Sequence, residues 1–210
     1  MTRTNNLNQG LKGVAFFIKK NKLLILMTLF FLLGMILGTL TINASDSTII
    51  NRMSFLVSSY LDKRIKQPFF TTFCSSFFSV FIYMIITYFL GFCAISTPFI
   101  FFVLIFRGLG LGMSMGYLYA YYGIQGMLFC TVMILPTAVI STVILLFASR
   151  DAQRLSVAFS SSFLPSVKTS VTPQYIKKYT VKYFAFTVII AISSLFDSIL
   201  ISVFGSAFTF

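Results

Sequence analysis

Long apolar stretches are the feature that most restricts how this 210-residue chain can fold. Five of them reach the roughly 20 residues that a helix needs to cross the roughly 30 Å hydrocarbon core of a bilayer. They cover residues 23–42, 69–90, 95–122, 124–148 and 183–204. Because no water reaches the backbone inside that core, a crossing segment has to bond its own N–H and C=O groups, as a helix does. We therefore predict an all-α integral membrane protein with about five transmembrane helices in one bundle.

The positions of lysine and arginine predict how this bundle is oriented. Positive residues that flank membrane segments tend to stay on the cytoplasmic side. Most of the 16 lysines and arginines fall within residues 1–22 and 149–182. The first range is predicted to be a basic cytoplasmic N-terminus and the second a basic inner loop. Residues 23–210 form the transmembrane domain, with an outer loop at 43–68 and an extracytoplasmic C-terminus.

The outer loop carries an amphipathic pattern. Its apolar residues recur at helical spacing, and Pro68 limits the far end of the predicted helix. They are Ile49, Ile50, Met53, Leu56, Val57, Tyr60 and Leu61. This helix either lies in the headgroup layer or presents Met53, Leu56 and Tyr60 to an extracytoplasmic partner.

The inner loop carries two helical patterns. A short amphipathic pattern begins at Arg150 and should end at Pro165, because proline cannot continue a helix. Thr172 and Pro173 are typical of a helix N-cap followed by proline in the first turn. Three tyrosines then recur every four residues with lysines between them, which predicts an interfacial anchor that leads into the last crossing. These tyrosines are Tyr175, Tyr179 and Tyr183.

Arg107 is the only formally charged residue between positions 93 and 122. A charge at the centre of a membrane helix costs at least about 2.5–3.5 kcal/mol on insertion scales. Such residues usually face a protein interior or a water-filled cavity rather than lipid. Arg107 is therefore the first candidate for a functional or architectural role.

Glycine and proline mark the segments around Arg107. Gly108, Gly112 and Gly116 recur every four residues, so on a helix they form a smooth ridge that a neighbouring backbone can approach closely. Simple helix packing is one interpretation of this ridge, within the chain or between chains of a homo-oligomer. With Pro98, a broken or re-entrant helix that lines a polar cavity is the other. Pro136 is predicted to kink the next crossing.

Asp197 is a second charge inside an apolar stretch. A lone carboxylate in a membrane is protonated, hydrogen-bonded or paired. An ion pair between Arg107 and Asp197 would neutralise both groups and hold the third and fifth helices together.

The composition argues against enzymatic chemistry. The chain has no histidine, and its 4 acidic residues are all aspartates at scattered positions, so neither a catalytic triad nor paired carboxylates can be assembled. The 3 cysteines stand apart without metal-ligand or CxxC spacing. No cofactor or metal site is predicted. The net charge of +12 is dispersed at membrane boundaries, which favours anionic lipid headgroups over nucleic acid as the partner.

Several short motifs together resemble the stage II sporulation protein M family. The sharpest part lies between residues 95 and 136, and the resemblance extends over about residues 23–202. The matching motifs are Ala94-Ile95-Ser96-Thr97-Pro98-Phe99-Ile100, Phe106-Arg107-Gly108, Gly116-Tyr117, Tyr122-Gly123, Leu135-Pro136 and Ile192-Ser193-Ser194-Leu195-Phe196-Asp197. Arg107 and Asp197 stand where the family typically shows a basic and an acidic residue. The loops at 43–68 and 149–182 show no matching motif.

The resemblance implies a non-enzymatic scaffold of endospore engulfment. Such a protein would lie in the septal or engulfing mother-cell membrane and localise peptidoglycan-degrading partners, the stage II sporulation proteins D and P. The competing interpretation is transport: a five-helix bundle with an intramembrane arginine and a proline-kinked helix is also typical of a permease subunit of an ABC-type transporter or of a small channel.

Overall fold

A computed structural model describes residues 21–43, 68–162 and 173–204. These residues form five α-helices and one π-helical turn, and no strand occurs among them. The helices are α1 (Lys22–Asn43), α2 (Phe69–Phe92), α3 (Thr97–Phe129), α4 (Leu135–Ser162) and α5 (Pro173–Phe204), and the π-helical turn (Cys130–Ile134) joins α3 to α4. The all-helical prediction is confirmed for this part of the chain. The outer loop, with Met53, Leu56 and Tyr60, lies outside the described residues.

Four helical segments of the described chain are long and apolar enough to cross a membrane. The third runs from Thr97 to Ser161 and contains 65 residues, because α3, the π-helical turn and α4 follow one another without a gap, although α3 itself is broken at Gly123. A straight helix of that length would measure roughly 100 Å. This count of separate apolar segments therefore does not confirm the predicted five crossings.

The 65-residue segment doubles back at Gly123. Gly123 has φ 56° and ψ −131°, which is non-helical and easily reached only by glycine. Arg107 Nη2 lies 3.3 Å from Ser141 Oγ, and Ser96 Oγ lies 2.9 Å from Ser156 Oγ. Residues so far apart in sequence meet only if the two arms lie side by side. The break thus falls between the predicted third and fourth crossings and not inside residues 95–122, where Pro98 occupies the first turn of α3.

Pro136 is the second residue of α4, separated from the π-helical turn only by Leu135. Proline lacks an N–H and its ring collides with the carbonyl four residues earlier in a regular helix. Here the backbone N–H of Leu135 bonds to the carbonyl of Cys130, five residues back, so the turn is one residue wider than an α-helical turn. The wide turn ends just before Pro136, and the kink predicted at Pro136 stays a prediction.

The predicted glycine ridge packs within the chain, against α1. A Cβ added to Gly108 or Gly112 would lie closer than 3.0 Å to backbone atoms of α1, and one added to Gly116 would make ordinary contact at 3.4 Å. In return, a Cβ on Gly34 or Gly38 would meet the backbone of α3 closer than 3.0 Å. The two glycine series interlock, as small residues do where membrane helices pack most closely.

Helix α4 is the centre of the bundle and packs against each of the other four helices. Its residues Leu145, Ala148, Ala152 and Leu155 are completely buried. The burial continues past the apolar run 124–148 into the predicted inner loop, where α4 remains helical to Ser162.

We predict that Gly112→Ala lowers the free energy of unfolding by about 1–3 kcal/mol, because the added methyl group meets the α1 backbone, which cannot move away as a side chain can. Gly110→Ala is the matched control: it lies on the same helix, a Cβ there meets nothing within 4 Å, and the better helix propensity of alanine should leave stability equal or slightly higher. The thermal midpoint of each purified variant in detergent checks this. Equal midpoints for the two variants would contradict the interlocked packing.

Candidate intramembrane polar site

Asp197 lies at a junction of three helices. Asp197 belongs to α5 and is 1% exposed. Its carboxylate accepts a hydrogen bond from Ser76 Oγ of α2 and another, at 3.3 Å, from Thr137 Oγ1 of α4. Hydrogen bonds to a charged group are each worth about 1.5–3 kcal/mol. The carboxylate therefore ties α2, α4 and α5 together within an apolar environment.

The sequence of α5 explains why Asp197 points inward. Ser193, Ser194 and Ser198 are buried along with it, and these positions lie on one face of the helix. The bulky apolar residues Leu195, Phe196 and Ile199 fall on the other side and are exposed, as lipid-facing residues are.

Arg107 points from α3 toward α2 and α4. Its Nη2 donates to Ser141 Oγ at 3.3 Å, and its guanidinium carbon lies 5.4 Å from the centroid of the Tyr83 ring. A guanidinium within about 6 Å of an aromatic face is attracted by the negative face of the ring. The neighbouring Phe106 is largely exposed on the outside. Arg107 thus contacts protein, as predicted from the free-energy cost of placing a charged side chain in lipid.

Arg107 and Asp197 reach the same face of α4. Their partners Ser141 and Thr137 are four residues apart on that helix, which places their Cβ atoms about 5–6 Å from each other. The two charged side chains therefore bond to consecutive turns of one helix. A direct ion pair between Arg107 and Asp197 stays a prediction.

Sequence reasoning singled out the two charges but missed four of their neighbours: Ser76, Tyr83, Thr137 and Ser141. Serine and threonine in membrane helices commonly bond their own backbone, as Ser141 does to the carbonyl of Ala138, so they attract little notice in a sequence. The available signal was the four-residue spacing of Thr137 and Ser141 in an apolar run. It shows that they share a face, but not which helix that face meets.

The tyrosines of α5 depart from the interfacial anchor that their spacing predicts. Tyr175 is exposed, but Tyr179 and Tyr183 are buried. Tyr179 Oη donates to the backbone carbonyl of Tyr88 at 3.1 Å, and Tyr183 Oη donates to that of Ala148 at 2.8 Å. The prediction was wrong for Tyr179 and Tyr183. Their spacing shows that they share a face of α5, but it cannot show that this face packs against backbone carbonyls of α2 and α4. Their hydroxyls join helices instead of meeting headgroups.

The described residues contain no group of three or more histidine, cysteine or acidic side chains that would hold a metal ion. Cys74, Cys93 and Cys130 are free thiols. One ion pair at the basic end, Lys182 to Asp151 at 2.9 Å, joins α5 to α4.

We predict that Ser76→Ala lowers the free energy of unfolding by about 1.5–3 kcal/mol, because Asp197 loses a hydrogen bond where no water replaces it. Thr137→Val should act in the same direction. Ser75→Ala changes the exposed neighbour on the same helix and should stay within about 0.5 kcal/mol of the parent. Unfolding of the purified proteins in mixed detergent micelles measures the differences. Equal free energies of unfolding for Ser76→Ala and Ser75→Ala would show that the hydrogen bond between Ser76 and Asp197 does not stabilise the protein.

A charge exchange tests the predicted coupling between the two charged residues. Arg107→Asp and Asp197→Arg should each abolish stable insertion, because each leaves two like charges near α4. The double variant should recover most of the folded protein, with an interaction energy of about 0.5–3 kcal/mol, as expected for residues in one network. Folded yield after extraction from the membrane is the measurement. An additive loss in the double variant would show that the two charges act separately.

Comparison with known proteins points to one family. The sequence matches the family described as Stage II sporulation protein M over residues 27–206, which includes α2 to α5 entirely and α1 from Met27 onward. Searches of curated proteins and of solved structures give no match. The matched range covers most of the 210 residues of the chain, so the chain belongs to the stage II sporulation protein M family.

Proposed function

We propose that this sporulation-related membrane protein is a non-enzymatic scaffold of endospore engulfment, which anchors and localises peptidoglycan-degrading proteins at the septal or engulfing membrane. The observation that carries the proposal is the family match over residues 27–206. The proposed partners are the stage II sporulation proteins D and P, together with membrane lipids.

The proposed topology has five crossings. The reversal at Gly123 divides the segment 97–161 into two antiparallel arms, each long enough for one crossing. Apart from Arg107, the basic residues of the described helices then collect at one end of the bundle. They are Lys22, Arg150, Arg154, Lys177, Lys178 and Lys182. By the positive-inside rule this end is cytoplasmic, which places the Gly123 turn, the outer loop and the C-terminus outside.

The contacts that the two intramembrane charged residues make support a scaffold role. Asp197 ties α2, α4 and α5, and Arg107 ties α3 to α2 and α4. Both residues have structural partners that hold helices in place. The interlocked glycines of α1 and α3 likewise favour a rigid anchor.

A second candidate is a permease subunit or small channel. The observation that favours it is the π-helical turn between α3 and α4, which lies within one arm of the hairpin. Irregular backbone at membrane depth is typical of helices that line a cavity. Co-purification of an ATPase would support this candidate.

Deletion of the gene in its endospore-forming host tests the scaffold. We expect septa that form but fail to migrate around the forespore under membrane-dye microscopy, because wall hydrolases are no longer held at the membrane. A tagged copy should restore migration and co-purify the hydrolases. Normal engulfment in the deletion strain, with an ATPase in the purified complex, would instead favour transport.

The outer loop is the proposed contact surface. In the complemented strain, a triple replacement of Met53, Leu56 and Tyr60 by serine should abolish hydrolase co-purification while membrane insertion stays normal. Replacement of Ser54 and Ser58 by alanine is the matched control in the same loop and should leave co-purification intact. Full recruitment by the triple variant would move the contact surface elsewhere.

A further inference from the structure

The basic end of the bundle has a seam between α4 and α5 that an ion pair marks. Lys182 Nζ of α5 lies 2.9 Å from Asp151 Oδ2 of α4. Nearer the other end, Thr137 of α4 donates to Asp197 of α5 at 3.3 Å. Residue numbers fall along α4 between these two contacts and rise along α5. The two helices are therefore antiparallel, and a step toward the basic end leads up the sequence of α4 and down that of α5.

Two more basic side chains lie on the same side of this seam. Arg154 follows Asp151 by three residues, and Lys178 precedes Lys182 by four. Residues at these spacings are neighbours on consecutive turns of a helix. Because α4 and α5 are antiparallel, both steps lead toward the basic end and bring Arg154 and Lys178 to the same level of the seam. Both side chains are exposed.

The end of α2 shows that these residues lie at the edge of the hydrocarbon. The 24 residues of α2 include no charged side chain and span about 36 Å, enough to cross a hydrocarbon core. Ser156 Oγ, two residues beyond Arg154, donates to the carbonyl of Cys93 at 2.8 Å, and Cys93 directly follows α2. Arg154 is therefore level with the end of α2, where lipid headgroups begin.

Apolar side chains continue the same faces toward the middle of the membrane. Phe147 precedes Arg154 by seven residues on α4, and Ile189 follows Lys182 by seven on α5. Seven residues are close to two helical turns, so each apolar side chain points in nearly the same direction as its basic counterpart. Phe147 is 43% exposed and Ile189 is 44% exposed. The seam is thus basic at headgroup level and apolar below it.

We propose that this seam binds one anionic phospholipid of the adjoining leaflet. The lipid phosphate accepts hydrogen bonds from Arg154 and Lys178, and its acyl chains pack on Phe147 and Ile189. The charges are complementary, because the seam carries three basic side chains against one carboxylate, and that carboxylate is engaged by Lys182. A free phosphate would meet only the basic half of the seam, whereas a phospholipid matches both halves.

The proposal rests on the proposed topology, in which the basic end faces the cytoplasm. Anionic lipids give the cytoplasmic leaflet its negative surface potential, which attracts basic residues close to the membrane. The overall charge predicts a general preference for such lipids. The seam between α4 and α5 assigns that preference to one position, where both parts of a lipid molecule find partners.

Native mass spectrometry of the full-length protein in detergent tests the lipid site. The probes are phosphatidylglycerol, which is anionic, and phosphatidylethanolamine with the same acyl chains, which is zwitterionic. The test variant is Arg154→Gln with Lys178→Gln. The matched control, Lys22→Gln with Lys177→Gln, removes as much charge from the same end, but Lys22 begins α1 and Lys177 lies about 100° around α5 from Lys178.

We expect the parent to bind phosphatidylglycerol at least about tenfold more tightly than phosphatidylethanolamine. The test variant should lose at least about tenfold in affinity for phosphatidylglycerol, and the control should stay within about twofold of the parent. Arg154→Lys with Lys178→Arg keeps both charges and should bind like the parent. Equal affinity of the parent for the two lipids, or equal losses in the test and control variants, would overturn the site.

The lipid site and the scaffold role can fail independently. Arg154 and Lys178 are exposed, so the variants should fold, and a lipid-free thermal midpoint equal to that of the parent verifies this. Lipid affinity of the purified protein requires neither hydrolases nor sporulating cells. Normal engulfment in the deletion strain would therefore count against the scaffold alone, and loss of lipid selectivity in the parent would count against the seam alone.

Discussion

The high cost of a charge in hydrocarbon governs how these helices are assembled. Asp197 and Arg107 enter the apolar region on different helices, and each needs partners that lipid does not provide. Both find them on α4, through Thr137 and Ser141 on consecutive turns. Because α4 serves both charges, it has to be central, and it packs against all four other helices.

Two kinds of packing surround α4. Helices α1 and α3 meet through interlocked glycines, backbone against backbone, with little room for side chains. Helices α2, α4 and α5 meet through aromatic and hydroxyl groups, including Tyr179 and Tyr183 of α5, whose hydroxyls donate to carbonyls of α2 and α4, respectively. The first kind depends on shape and the second on hydrogen bonds. Lipid competes with neither, because hydrocarbon offers no hydrogen bonds and cannot enter the glycine contact.

The same arrangement relates the structure to the proposed role. A scaffold has to hold its outer surface in a fixed position relative to the membrane, and a bundle locked by glycine contacts and buried charges suits that requirement.

Much of the architecture follows from residue patterns alone. The apolar runs determine an all-helical membrane protein, since a bilayer leaves few other ways to satisfy the backbone. The glycine spacing predicted a close helix contact, and the cost of a buried charge predicted that Arg107 faces protein. Helical periodicity, however, shows only which residues share a face and not which helix that face meets.

Tertiary structure therefore decided the rest. It placed the glycine ridge against Gly34 and Gly38 within the same chain, put the reversal of the chain at Gly123, just after residues 95–122, and turned two predicted interfacial tyrosines into buried donors. It also assembled Ser76, Thr137 and Ser141 around the charges. These outcomes depend on contacts between residues far apart in the chain. The sequence by itself determined which groups needed partners, and the packing of the helices decided which partners they obtained.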